Sequence, residues 1–382
     1  MEMFETPKLY ATSSKGELKT WEAHVGPCST GTSVTFTFGM QKGKKQVQRK
    51  VITEGKNVGR SNETTHFQQA VKEVQSKMQK KMDSGYTPDK ENIKTPILPM
   101  LAHVFEKRKQ NIKYPAYVQP KVDGVRMVCS VDNGKIKMFT RKGKEFTKLA
   151  HLEEELLQYF HRISRYATNE FYLDGELYSD TLTFQEVAGA VRRKENSPEI
   201  LTQIKYVIFD CFNTRYLENL TFEERWENIL GTKPDIRFDN FKYIKPIRTF
   251  LVSNDIQVKE FNQSYCLPNG YEGAMIRNAS GLYKLNHRSA DLQKLKQFQD
   301  NEFEITGYKQ GTGSEEGCII YQCATEDGAV FFVRPKGSLN WRIKMFKEAK
   351  KFIGQQLTVR FQELTDDGIP RFPVGISVRN YE

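Results

Sequence analysis

Apolar and polar positions alternate at the start of the chain. Residues 19–25, 33–38 and 46–52 read as strands with one face turned to a core. A turn-rich stretch at 55–62 interrupts them. Beyond it the period changes: Phe67, Ala70, Val71, Val74 and Met78 recur three and four apart, which predicts one helix over 66–82 with a single apolar face. Prolines at 88, 96 and 99 among many lysines mark a connecting segment.

Past that connection the apolar runs become continuous and end in charge. Residues 171–177 close on Asp174-Gly175-Glu176, residues 206–212 enclose Asp210, and 270–277 set Glu272 between two glycines. The first two read as buried strands, the first carrying its acids toward a cleft, although Asp-Gly-Glu is also an ordinary hairpin turn. In residues 292–298 lysine alternates with apolar residues, so a strand there would put Lys294 and Lys296 on one face. The last block alternates again over 303–308, 318–323, 330–333 and 356–361, with a helix-like piece at 341–352, the layout of a small β-barrel. The expected organisation is therefore α+β and multidomain: 1–86, a linker at 87–97, a central domain at 98–298 and a barrel at 299–382.

Composition narrows the class. A chain of 382 residues with 38% hydrophobic and 27% charged residues suits a soluble protein of two or three domains. No apolar run approaches the ~20 residues of a membrane span, and the first residues lack the basic-then-apolar layout of a secretory signal. The six cysteines are scattered without Cys-x-x-Cys pairs, which argues against structural zinc and a disulfide framework and for a reducing interior, cytoplasm or nucleus. The net charge of +11 points to a polyanionic partner. Residues 1–90 hold 15 Lys/Arg against 9 Asp/Glu, whereas 299–382 hold 11 against 12, so the excess lies outside the barrel. Lys42, Lys44, Lys45 and Arg49 (with Lys50) fall on a strand pair in the first block, where they could line a phosphate-binding edge or simply a solvated hairpin.

One short run fixes the chemistry. Gln119-Pro120-Lys121-Val122-Asp123-Gly124-Val125-Arg126 contains Lys-x-Asp-Gly followed by an arginine. A surface Lys-x-Asp-Gly is also a common turn. What separates the readings is order: Lys-x-Asp-Gly-x-Arg, Asp-Gly-Glu, Phe-Asp, Glu-Gly and Lys-x-Lys follow one another, each at the edge of an apolar run. A lysine nucleophile needs burial or nearby cations to lower its pKa, and later steps need cations and carboxylates around phosphate.

This series resembles the covalent nucleotidyltransferases, and within them ATP-dependent DNA ligases of the compact viral or phage kind. The resemblance runs from Pro96 to the end and implies an adenylation domain of antiparallel, ATP-grasp-like sheets with helices, plus a C-terminal OB-fold. It implies that Lys121 is adenylated by ATP, with Gln119 at the nucleotide, Glu176 at the ribose and Phe209 stacked on adenine. Glu272, with Glu176, would place Mg²⁺, and Lys294 and Lys296 would hold the α-phosphate. Arg126 and Arg141 would reach the ribose and the 5′-phosphate of the nick, and Arg371 and Arg379 would orient the leaving pyrophosphate, with a hinge near residues 299–301.

The implied partner is nicked duplex DNA, met by a monomer in replication, repair or recombination. Neither a sliding clamp nor a repair partner can be named from the sequence. The first block resembles a WGR-type nucleic-acid-binding domain, although the signature Trp-Gly-Arg is Phe38-Gly39-Met40 here. Three rivals remain at this point: an RNA ligase, an mRNA capping guanylyltransferase, and a non-catalytic nucleic-acid-binding protein.

Overall fold

The alternating start of the chain folds as a five-stranded sheet, β1 (Phe4–Glu5), β2 (Leu9–Thr12), β3 (Leu18–Cys28), β4 (Gly31–Met40) and β5 (Gln46–Ile52), ordered β1-β3-β4-β5 with β2 on β3. Helix α1 (His66–Met82) packs Ala70 and Val74 onto Trp21, Val25, Val34 and Phe36. Its start is specified locally. Thr65 Oγ1 accepts from the Gln68 amide at 3.2 Å while Gln68 Oε1 accepts from the Thr65 amide at 3.1 Å, a reciprocal cap. β5 is an edge strand with all residues but Ile52 exposed, and its charge discourages a second chain from pairing there.

The computed structural model describes residues 2–13, 16–93, 97–163, 170–193, 198–214, 220–231, 240–365 and 367–379. Residues 94–96 of the expected linker lie outside these. By its contacts the chain forms two units, Met1–Gln257 with Ile276–Gln293, and Val258–Met275 with Lys294–Glu382.

The central strands are β6 (Leu101–Val104), β7 (Ala116–Lys121), β8 (Val125–Asp132), β9 (Lys135–Thr140), β10 (Phe171–Tyr178), β11 (Lys205–Asn213), β12 (Ile244–Pro246), β13 (Phe250–Val252), β14 (Gly273–Asn278) and β15 (Arg288–Lys296). They make two sheets, ordered β12-β11-β10-β8-β9 and β13-β7-β14-β15-β6. Asp174-Gly175-Glu176 lies inside β10 and is no hairpin turn. Gly175 is required there, because a Cβ would stand 2.4 Å from the Val207 carbonyl oxygen and 2.6 Å from the Tyr206 ring.

The closing block is a closed barrel of β16 (Gln299–Gln310), β17 (Ile319–Ala324), β18 (Val330–Pro335), β19 (Gln356–Phe361) and β20 (Val374–Arg379), in the order β16-β17-β18-β20-β19. Ile305, Ile319, Tyr321, Val333, Leu357 and Phe361 fill it. The helix expected at 341–352 is α2 (Leu339–Lys347) followed by a 3₁₀ turn at Ala349–Phe352. The hinge expected near residues 299–301 needs correction. Those residues are the start of β16, paired with β19, and Asp300 holds Arg360 in a two-pronged ion pair at 2.7 and 2.6 Å. The unpaired backbone in this region is Gln297–Phe298.

Candidate active site

Lys121 is the last residue of β7 and is half-buried. The turn after it lies directly on β10. A Cβ on Gly124 would fall 2.1 Å from the Leu177 carbonyl oxygen and 2.8 Å from Glu176 Cγ, so Lys-x-Asp-Gly approaches Asp-Gly-Glu this closely only with glycine at 124. Across β8 and β10 the register pairs Arg126 with Glu176. Two motifs that stand 50 residues apart in the chain thus share one patch of sheet.

Phe209 reaches that neighbourhood through a bulge. Asp174 pairs with Asp210 but Gly175 pairs with Ile208, so β11 carries Phe209 as an extra residue between the two. A bulge bends its strand and redirects a side chain, and Phe209 is half-exposed between buried Ile208 and Asp210. The guanidinium carbons of Arg126 and Arg277 stand 5.4 and 5.6 Å from its ring centroid.

Behind this surface is a buried charge network that the sequence did not reveal. Arg126 donates to both oxygens of Asp174 at 2.8 and 2.6 Å, and the Tyr283 hydroxyl donates to Asp174 at 2.6 Å. Burial, then the Asp174 charge, pushes the Tyr283 hydroxyl well above its ordinary value. Asp210 accepts from Arg225 at 2.8 and 3.1 Å and from Arg277 at 2.6 Å, all three residues being buried. Burial alone would raise the Asp210 carboxyl, but the Arg225 and Arg277 charges outweigh it and hold it below the ordinary carboxylate value.

Gln119 is tied into the same network. It accepts from Arg277 at 2.8 Å and donates to the Phe209 carbonyl at 3.1 Å and to Thr249 at 3.0 Å. Its amide is therefore engaged at both ends, and it links β7, the strand of Lys121, to the Phe209 bulge. Arg277 closes the run that carries Glu272, whereas Arg225, Thr249 and Tyr283 carried no local signal.

In the second unit Glu272 and Lys296 form an ion pair at 2.7 Å, each largely buried, and Lys296 also donates to Gln362 at 3.0 Å. Gly273 lets the Glu272 turn press on β15, since a Cβ would sit 2.1 Å from the Leu295 carbonyl oxygen. Lys294 and Lys296 share a face of β15, both half-buried. The two terminal arginines have acidic partners in the barrel. Arg371 pairs with Glu363, and Arg379 bonds Glu302 at 3.2 Å and Thr358 at 2.9 Å.

Among the described residues no three or more His, Cys, Asp or Glu side chains cluster as a metal cage. Single carboxylates such as Glu176 and Glu272 are the donor set of Mg²⁺ shared with substrate phosphates, a hard ion that takes one or two protein oxygens and keeps its waters. The residues fit that use.

Of the basic residues expected at DNA, Arg126 lies inside β8 and is held by Asp174, whereas the others lie on turns and one edge. Arg141 is exposed in the tight turn after β9, where Gly143 has φ +80°. Lys42 and Lys44 are exposed between β4 and β5, and Arg49 is exposed on β5. Lys45 is occupied locally, donating to Thr20 at 2.8 Å and to the Met40 carbonyl at 2.6 Å. No helix among the described residues is long and apolar enough to cross a membrane.

Comparison with known proteins agrees with the order of motifs. Residues 99–296 match the ATP-dependent DNA ligase domain, and residues 311–379 match the DNA ligase OB-like domain. A DNA ligase of African swine fever virus, from a warthog isolate, is 31% identical over 358 residues, covering 87% of this chain and 80% of its own. Among solved structures, one called Pmar-Lig_Pre. superposes with a TM-score of 0.64 at 22% identity, covering 82% of this chain and 72% of that one. A Lig E DNA ligase, solved in work on DNA binding with a minimal scaffold, gives 0.56 at 23% identity, covering 74% and 99%. At those identities the structures speak to the fold, a nucleotidyltransferase domain followed by an OB-type barrel. The matched domains and the viral relative, taken with the ordered motifs, show that this chain belongs to the family of ATP-dependent DNA ligases.

Proposed function

We propose that the chain seals 5′-phosphate/3′-hydroxyl nicks in duplex DNA, with Lys121 as the adenylated nucleophile. The observation that carries this reading is the packing of the Lys121 turn on Glu176 through Gly124. It sets the turn of the lysine motif against the strand of Glu176, whose neighbour β11 carries Phe209 on its bulge.

The neutral Lys121 amine attacks the α-phosphorus of ATP and loses a proton, the bond to the β-phosphate breaks, and pyrophosphate leaves. Phe209 offers its ring to adenine and Glu176 its carboxylate to the ribose. Gln119 and Arg277 position Lys121's strand and the Phe209 backbone. On the family resemblance, Lys294 and Lys296 are the cations for the α-phosphate, and Arg371 and Arg379 those for the departing pyrophosphate. Glu272 or Glu176 would hold Mg²⁺, which would supply further charge neutralisation at phosphate.

An oxygen of the nick 5′-phosphate then attacks the AMP phosphorus and releases the Lys121 amine, with Arg126 and Arg141 on the phosphate side. The 3′-hydroxyl attacks the activated 5′-phosphate, loses its proton, and AMP departs. Positioning and charge neutralisation supply most of the catalysis in such phosphoryl transfers.

The domain roles belong to the same reading: 1–86 as a WGR-like grip on duplex through Lys42, Lys44 and Arg49, 87–97 as connector, 98–298 for adenylation and 299–382 as the OB-type lid, acting as a monomer. The test uses α-labelled ATP and nicked duplex DNA. Lys121→Ala is expected to lose the covalent adduct entirely and still bind nicked DNA; an adduct retained in that variant overturns the assignment. GTP and RNA-containing nicks run alongside separate this reading from capping and RNA-joining chemistry.

A further inference from the structure

The first block contains a second feature that the ligation chemistry does not use. A cleft of about 350 Å³ opens between the sheet and the C-terminal half of α1, within the range of roughly 300–1,000 Å³ typical of small-ligand pockets. Its composition follows from two periodicities. Phe36 and Phe38 are two apart on β4, and the register sets Phe38 opposite Trp21 and Phe36 opposite Gln48, so these four side chains share the face toward α1. On the helix Lys77, Lys80 and Lys81 are spaced three and four apart on one face, and Ser84 follows in the turn just past its end. The apolar stripe that buries Ala70 and Val74 therefore gives way, one turn later, to lysines.

Two of these lysines, with Lys19 of β3, lie over aromatic rings. Lys77 Nζ stands 3.8 Å from the Phe36 ring centroid, and Lys81 and Lys19 stand 4.9 and 5.3 Å from that of Tyr86. Glu73, the nearby acid, is taken by Lys50 at 2.6 Å. Desolvation and neighbouring lysines hold Lys77 and Lys81 below their ordinary values. Crowded cations with their acid already engaged favour an anion between them. Trp21 and Phe36 are buried as the floor, whereas Phe38 is half-exposed and can offer a ring face.

We propose that this cleft is a binding site for unpaired DNA strand, with Phe38 stacking on a base and Lys80, Lys81 and Ser84 meeting the phosphate beside it. An aromatic face next to a cationic rim is the composition of sequence-tolerant single-strand sites. The site is separate from the Lys42, Lys44 and Arg49 edge, and it rests on the reading of residues 1–86 as a DNA-binding domain.

The test uses the full chain and fluorescence anisotropy with a labelled oligothymidylate and an intact duplex of equal length. Lys80→Glu with Lys81→Glu should weaken oligothymidylate binding roughly tenfold at low salt, and Phe38→Ala about fivefold or more. Duplex affinity should move about twofold at most, and lysine adenylation should be unchanged. Lys80 is exposed and Lys81 half-buried at the rim over Tyr86, neither in the core, so the charge-reversal pair tests the cleft even where Phe38→Ala loosens the domain.

Unchanged oligothymidylate binding in that pair overturns the proposal, as does an equal loss on intact duplex. Lys42→Glu with Lys44→Glu serves as companion. A loss in the companion alone removes the cleft and leaves the DNA-binding reading standing; no loss in either variant on either DNA removes both.

Discussion

Asp210 joins Arg225 and Arg277 from positions 15 and 67 residues away, with every partner buried. Removing one member of such a cluster leaves uncompensated charge, which costs about 3–5 kcal/mol in buried pairs. Asp210→Asn is therefore expected to lower stability by about that amount in urea unfolding. Because Arg277 also holds Gln119, and Gln119 the Phe209 carbonyl, adenylation should slow by about ten- to a hundredfold through lost positioning. The folded-state pKa of Asp210 is lowered, so its contribution is present above the unfolded value of about 4 and is lost as pH falls below it. The stability gap between wild type and Asp210→Asn should hold near neutral pH and shrink below pH ~4; a gap independent of pH would refute the charge argument.

At this scale the sequence disclosed the residues that stand at motif edges. It could not disclose a network whose partners lie on separate strands, nor that Gln119 and Arg126 would be held by protein partners.

Elements were more legible. The helix over 66–82 and the strands 46–52 and 356–361 fall where the sequence puts them; the helix and 356–361 bury apolar residues, whereas 46–52, exposed except for Ile52, is held by its pairing with β4. Asp174-Gly175-Glu176 was ambiguous with a turn because a short run with glycine carries both signals. What decides it is tertiary: neighbouring carbonyls occupy the space of a Cβ at 124, 175 and 273. Gly124→Ala should thus part the Lys121 turn from Glu176 and cut the rate of lysyl-AMP formation by about tenfold or more. Gly134→Ala is the contrast. Gly134 has φ +73° with open space around it, so alanine there costs about 1–2 kcal/mol of backbone strain and leaves adenylation intact. Equal kinetic losses in the two variants would show that backbone strain, and not close approach, is what Gly124 relieves.

Across the whole molecule, charge separates the work. The excess of Lys and Arg lies in the first two blocks and the barrel block is near neutral, so on the proposed function phosphate-backbone affinity is expected chiefly from the former. Lys42, Lys44 and Arg49 are exposed on one hairpin edge with water as their competitor, whereas Lys45 is spent on Thr20 and Met40. Each cation that neutralises a DNA phosphate releases counterions and steepens the fall of affinity with salt by about 0.9 in log–log slope. Replacing Lys42, Lys44 and Arg49 by alanine together should therefore flatten the slope for nicked duplex by about one for each phosphate left without its cation. Lys45→Ala should change it little and instead loosen the hairpin. Adenylation, which needs no DNA, stays the same in both. A slope that does not move in the triple variant would place the electrostatic grip elsewhere on the chain, with Arg141 and the central block as the remaining source, and would leave residues 1–86 without a role in holding duplex.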